Sequence, residues 1–179
     1  MKALMVIDVQ QGMFADPAHP PFEGLQVVAK IADLIAQARR VGAPVVYVQH
    51  DGGQGHPLTP GAPGYPFHVE LTPRDGDVVV VKNHCSAFQG TDLEGLLKAR
   101  GITDLVVTGM QSDYCVDTTV RSAFERGFKV LLVQDGHTTF DQGELTGAQI
   151  RRHHNRLLDH DFARLAKAQD VIFEAFGSG

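Results

Sequence analysis

Several features that would assign a function class are scarce or missing. Only two cysteines, Cys85 and Cys115, occur in 179 residues, too few for a disulfide framework or a zinc ribbon. A reducing, cytoplasmic setting is therefore expected. No apolar run approaches the roughly 20 residues that span a bilayer, and the opening MKALMVIDVQ passes directly into a strand-like stretch containing an Asp. Neither secretion nor membrane insertion is expected. Basic residues are outnumbered 16 to 21, for a formal net charge of -5, which leaves no basic stripe for nucleic acid. Glycine-rich phosphate loops are missing as well: the first apolar run is followed by DVQQGMF, with neither a GxGxxG nor a GxxxxGKS/T pattern. Nucleotide binding loses its main support, and no cofactor is expected.

What remains is an ordinary globular composition, 43% hydrophobic and 21% charged. The length suits one core, so a single domain over residues 1–176 is expected, with Gly177, Ser178 and Gly179 as a flexible tail. Ala3 to Ile7 reads as a strand buried on both faces, ending in Asp8. Leu25 to Val41 carries apolar residues at helical spacing, stopped by Gly42 and Pro44. Strands follow at Val45 to Val48 and Val78 to Val81, separated by a Gly- and Pro-rich loop over 52–76. A loop that long is usually functional. Asp92 to Arg100 reads as a helix with Thr91 and Glu94 as its capping box. After a strand at Leu105 to Val107, a helix beginning near Cys115 places Val116, Val120, Ala123 and Phe124 on one face. Val130 to Val133 is a fifth strand, Asp135 to Asp141 a strand-end loop, and Gly147 to His160 a polar helix. The run Arg151, Arg152, His153 and His154 reads as a solvated face or a subunit contact. Phe162 to Leu165 is a last short strand, with Val171 to Phe173 packing at the end.

Strands alternating with helices at this spacing imply a parallel sheet covered on both faces, with ligands at the C-terminal strand ends. Asp8, Asp51, Lys82, Cys115 and Asp135 all fall at or just beyond such ends. Each also has a plainer reading: a turn Asp, a surface Lys, a small buried Cys. A thiol at a helix mouth, however, meets free backbone N–H groups and the positive end of the dipole, which favour the thiolate.

The opening ALMVIDVQ, the strand-closing Lys82, the segment SAFQGTDLEGLLKARGI and the stretch LVVTGMQSDYCVDTTVRSAFERGFKV resemble the isochorismatase-like cysteine hydrolases, a group that includes nicotinamidases, other amidohydrolases and streptothricin hydrolase. The resemblance runs over nearly the whole chain. It implies a three-layer α/β/α fold around a six-stranded parallel sheet ordered 3-2-1-4-5-6, and a homo-oligomer, dimer or tetramer. It also implies a catalytic triad of Asp8, Lys82 and Cys115, a cis peptide between Met110 and Gln111, and oxyanion donors on the backbone N–H groups of Gln111 and Cys115. Gln10, Phe14, His84, Phe88, Gln111, Tyr114 and His137 are candidate pocket walls, each with a packing role as an alternative. The metal motif of nicotinamidases is broken, because Gly53 stands where a His ligand belongs. Asp51 is present, but His56 and His68, which could replace the missing ligands, do not follow its spacing, so no metal is expected. True isochorismatases lack the nucleophilic Cys, so Cys115 points to carbonyl chemistry on a small amide, possibly cyclic. Moving a proton from a free thiol to a free carboxylate is uphill by about 4.6 pKa units, roughly 6 kcal/mol. A working site must therefore stabilise the thiolate and raise the carboxyl. The alternatives are a reactive-thiol sensor without turnover or a binding protein of the same fold.

Overall fold

The computed structural model describes residues 1–174; the expected tail at 177–179 lies outside them. Six strands form one parallel sheet in the order β3-β2-β1-β4-β5-β6, the expected topology. They are β1 (Lys2–Ile7), β2 (Val45–His50), β3 (Val78–Lys82), β4 (Asp104–Met110), β5 (Lys129–Thr138) and β6 (Arg164–Ala166). The helices are α1 (Gly24–Arg40), α2 (Leu93–Ala99), α3 (Asp117–Glu125) and α4 (Gly147–Leu158).

The central strand shows why the sheet is covered on both sides. Successive side chains of a strand point to opposite faces. Ala3, Met5 and Ile7 accordingly pack in one core with Val116, Val120 and Ala123, whereas Leu4 and Val6 pack in the other against Val28, Ile31 and Leu34 of α1. Burying each such Leu, Ile or Val side chain contributes about 1.5–3 kcal/mol. Gly109 lets β4 approach β1: at its φ of +120°, a Cβ would sit 2.1 Å from the Ile7 carbonyl oxygen. No other residue type fits there.

Four details differ from the sequence reading. Leu25 is 66% exposed, and α1 turns its buried stripe inward from Val27. Phe124 is nearly half-exposed, packing edge-on against Phe162 beyond the core face of α3. The capping box expected at Thr91 is not formed. Glu94 is drawn instead to Lys98 and Arg126, and Thr91 bonds Ala87 O and Leu93 N. A reciprocal box does cap α4, between Thr146 and Gln149. Finally, β5 continues to Thr138 through a register shift against β4, so Asp135, Gly136, His137 and Thr138 belong to the strand and not to a loop.

The run at the start of α4 is only partly solvated. Arg151 pairs with Glu23 and covers the Phe22 ring, and His154 reaches Asp117 at 3.2 Å. Val171 and Phe173 are buried, as expected.

Candidate active site

Asp8, Lys82 and Cys115 meet at the C-terminal edge of the sheet, beyond β1, at the end of β3 and in the turn after β4. β1 stops at Asp8, whose φ of +52° turns the chain out of the sheet. Asp tolerates this left-handed conformation better than most residues. Its N–H donates to Val48 O at 2.9 Å and its carbonyl accepts from Gln10 N at 2.9 Å. Lys82 is the last residue of β3, opposite His50 in the β2 register. Cys115 lies in a π-helical turn, Ser112–Val116, that runs into α3. Gln111 O closes that turn by accepting from Tyr114 N and Val116 N, both at 3.1 Å. The peptide bond between Met110 and Gln111 is cis, as the resemblance implied.

Lys82 Nζ lies 2.6 Å from Asp8 Oδ2 and donates to Cys115 Sγ at 3.3 Å. The Asp8 and Lys82 side chains are 1% and 0% exposed, so the ion pair is almost wholly removed from water. The contact is close but not well aligned: neither Asp8 oxygen receives a hydrogen bond of good geometry among the described residues. Such an unsatisfied buried carboxylate calls for an explanation, and a catalytic role is one of the few available.

Burial decides the direction of shift for Asp8 and Cys115, and neighbouring charge decides it for Lys82. It raises the Asp8 carboxyl above the ordinary 3.8, against the opposing pull of the Lys82 ammonium. Lys82 is also raised: burial lowers it, but Asp8 and Cys115 together outweigh that cost. The Cys115 thiol is pushed up by burial and by the neighbouring Asp8 charge, with Lys82 only partly compensating. This departs from the thiolate expected at a helix mouth. Burial thus raises both acids of the site, and the Lys82 ammonium opposes the shift in each.

The other residues singled out in the sequence take varied places. Gln10 is fully buried and works as a clamp: its amide donates to His50 O at 3.0 Å and Tyr65 O at 2.8 Å, and accepts from His50 N at 2.9 Å. Phe14 packs edge-on against His68. Tyr114 is 45% exposed and its hydroxyl accepts from Gln142 Nε2, whereas His84 is exposed with no side-chain bond among the described residues. Phe88 sits in the core stacked on Phe128, which is the packing role held open for it. His137 is likewise fully buried. Its Nδ1 lies 2.7 Å from Ser112 Oγ and its Nε2 2.9 Å from Asn155 Oδ1. Asn155 Nδ2 donates to Gln134 O, so Oδ1 accepts, His137 carries its proton on Nε2, and Ser112 donates to Nδ1. This chain braces the turn that holds Cys115 from behind.

Asp135 does not join the cluster; it pairs with Lys30 at 2.9 Å and accepts from Ala168 N. Asp51 accepts from Gly53 N, His56 from Leu58 N and His68 from Glu70 N. Each of the three thus shapes its own turn, and among the described residues they do not converge as a metal-ligand group. The loop over 52–76 folds back on the site: Phe67 bridges Gln10, and Tyr65 O accepts from both Gln10 and Gln49. The sequence reading missed His50, whose Nδ1 lies 3.3 Å from Lys82 Nζ. Its place beside Asp51 at a strand end was the available signal. No helix among the described residues is long and apolar enough to cross a membrane.

Known proteins resemble this chain over most of its length. The isochorismatase domain model matches residues 2–169. A streptothricin hydrolase of Streptomyces noursei is 39% identical over 141 residues, covering 79% of this chain and 51% of the relative. The chain thus spans about half the length of that protein. A ureidoacrylate amidohydrolase, RutB, of Variovorax paradoxus (strain S110) is 32% identical over 84% of this chain and 71% of its own. Among solved structures, an isochorismatase from Pseudomonas putida KT2440 superposes with a TM-score of 0.91 at 32% identity, over 96% of this chain and 90% of that one. With the domain matched almost from end to end and the sheet order shared, the chain belongs to the isochorismatase family.

Proposed function

We propose that this protein is a cysteine amidohydrolase that cleaves a C–N bond of a small amide. The observation that carries the reading is the buried contact of Lys82 with both Asp8 Oδ2 and Cys115 Sγ. In the first step Asp8 takes the thiol proton and the Cys115 sulfur attacks the carbonyl carbon, whose oxygen becomes an oxyanion. Backbone N–H groups of Gln111 and Cys115 receive that oxyanion. Asp8 returns the proton to the departing nitrogen, the C–N bond breaks and a thioester remains. Water, deprotonated by Asp8, then attacks the thioester, and the acid and the free thiol are released.

The raised thiol is compatible with this sequence of steps. Ionising Cys115 beside a charged Asp8 would add a second negative charge to a buried site, which burial penalises heavily. Passing the proton from Cys115 to Asp8 leaves the charge of the site unchanged, because one anion still faces the Lys82 ammonium. The burial penalty common to both groups therefore falls largely out of the transfer, and the intrinsic gap of roughly 6 kcal/mol between the free groups is left for the Lys82 ammonium and the oxyanion donors to offset as the sulfur attacks. The same feature speaks against a reactive-thiol sensor, which needs a standing thiolate.

Two of the relatives carry the names of hydrolases, one of them an amidohydrolase, and this supports the amide class. The test is product release from a panel of small amides, lactams and ureido compounds, with and without chelator. Release is expected to survive chelation and a Cys85→Ser change at an exposed thiol, and to fall by about 10³-fold or more in Cys115→Ala. Equal activity of Cys115→Ala and the unaltered protein would overturn the reading.

A further inference from the structure

We propose that His50 is a positioning residue that fixes the Lys82 ammonium by accepting its third N–H. The inference rests on the amidohydrolase reading for its kinetic consequence, but its geometry stands alone. An ammonium has three N–H donors and no acceptor. Around Lys82 Nζ there are three acceptors: Asp8 Oδ2 at 2.6 Å, Cys115 Sγ at 3.3 Å and His50 Nδ1 at 3.3 Å. The ammonium can therefore direct an N–H at His50 Nδ1 while it donates to the sulfur and faces the carboxylate as its ion-pair partner.

This assignment dictates the state of the imidazole. Because Lys82 can only donate, His50 Nδ1 must offer its lone pair, and the ring proton of neutral His50 sits on Nε2. A protonated His50 would place a second cation 3.3 Å from Nζ and leave the ammonium without its third acceptor. Burial, Lys82, His56 and His84 all hold the imidazole below its ordinary value, to about 4, and only Asp51 opposes them. The ring thus stays an acceptor at neutral pH.

The backbone fixes the ring as firmly as the ring fixes the ammonium. His50 and Lys82 are register partners on adjacent strands, so their side chains leave the sheet side by side. The fully buried Gln10 side chain binds both the N–H and the carbonyl of His50. Gln10 follows Asp8 by two residues, so one clamp ties the carboxylate, imidazole and ammonium to a common frame.

The test combines ring-nitrogen NMR of histidine-labelled protein with two variants. In the unaltered protein the His50 Nδ1 resonance is expected in the unprotonated range and Nε2 in the protonated range from about pH 5 to about pH 8. Replacement by Leu, His50→Leu, is expected to slow both amide turnover and iodoacetamide alkylation of Cys115 by roughly 10- to 100-fold, with KM nearly unchanged. His50→Asn places an acceptor oxygen where Nδ1 stood and is expected to restore both rates to within about threefold. A proton found on Nδ1 overturns the proposal. So does a folded Leu variant that alkylates Cys115 at the unaltered rate, a readout that needs no substrate. Failure of the amidohydrolase reading shows separately, as turnover that persists in Cys115→Ala.

Discussion

At the C-terminal ends of the strands, Asp8, Lys82 and Cys115 stand together with almost no access to water. At the N-terminal ends, Lys2, Asp104, Lys129 and Arg164 border an open groove of about 660 Å³. The charges of the open groove do not converge: Lys2 donates its ammonium to Ile172 O, while Lys129 and Arg164 are exposed. Charges in water interact weakly; the same charges in a dry, low-dielectric site interact several times more strongly and shift one another's ionisation. Desolvated partnership distinguishes the C-terminal edge of this sheet from the N-terminal one.

The largest expected contrast lies in activity. Asp8→Asn keeps the shape of the side chain but removes the proton acceptor, and turnover is expected to fall by about 10²–10⁴-fold. An active Asn variant would erase the distinction between the two edges.

Stability offers the next test. Lys82→Met leaves the Asp8 carboxylate buried without its partner and is expected to cost about 3–5 kcal/mol in denaturant unfolding. Lys129→Met on the opposite edge, exposed to solvent, is expected to change stability by less than about 0.5 kcal/mol. Similar costs at the two positions would contradict the contrast.

The pH dependence sharpens it further. Turnover needs Asp8 ionised, and burial raises that carboxyl above 3.8. The acid limb of kcat/KM is therefore expected above 3.8, and a limb at or below that value would refute the assignment of Asp8. Linkage gives the stability counterpart. A raised native carboxyl means that the folded state holds its proton longer than the unfolded chain does. Between 3.8 and the raised value this group's contribution to stability falls as pH rises, and the loss is complete above it. The raised Lys82 contributes stability that is fully present below 10.5 and is lost as pH climbs through its native value.

The smallest effect belongs to the open edge. Phe124→Ala removes the edge-on contact with Phe162 and is expected to cost about 0.5–1.5 kcal/mol while leaving kcat/KM unchanged. A large loss of activity there would give the groove a role that its chemistry does not suggest.

Much of the architecture was legible because the strands are short apolar runs with both faces buried, and such runs read the same with or without their neighbours. Asp8 and Lys82 were legible for a related reason, since an ionisable residue at the end of a buried strand conflicts with its surroundings. For Phe88 and His137 the choice between pocket wall and packing residue stayed open in the sequence, because an aromatic or imidazole ring near a strand end has no local signal that tells which way it packs. Thr91 was misread because Glu94 had two cations within reach that only folding brings close.

The sequence by itself determined the alternation of strands and helices, hence a parallel sheet and the edge where ionisable residues collect. Its motifs carried the triad and the sheet order through resemblance to a family. Only the tertiary structure decided which way the carboxyl and the thiol shift, because the burial that raises Asp8 and Cys115 together depends on residues far apart in the chain. It alone brought His50 against Lys82 and Gln10 across His50. Those contacts arise from the parallel register of β1, β2 and β3 and the return of the 52–76 loop, which no local pattern of residues encodes.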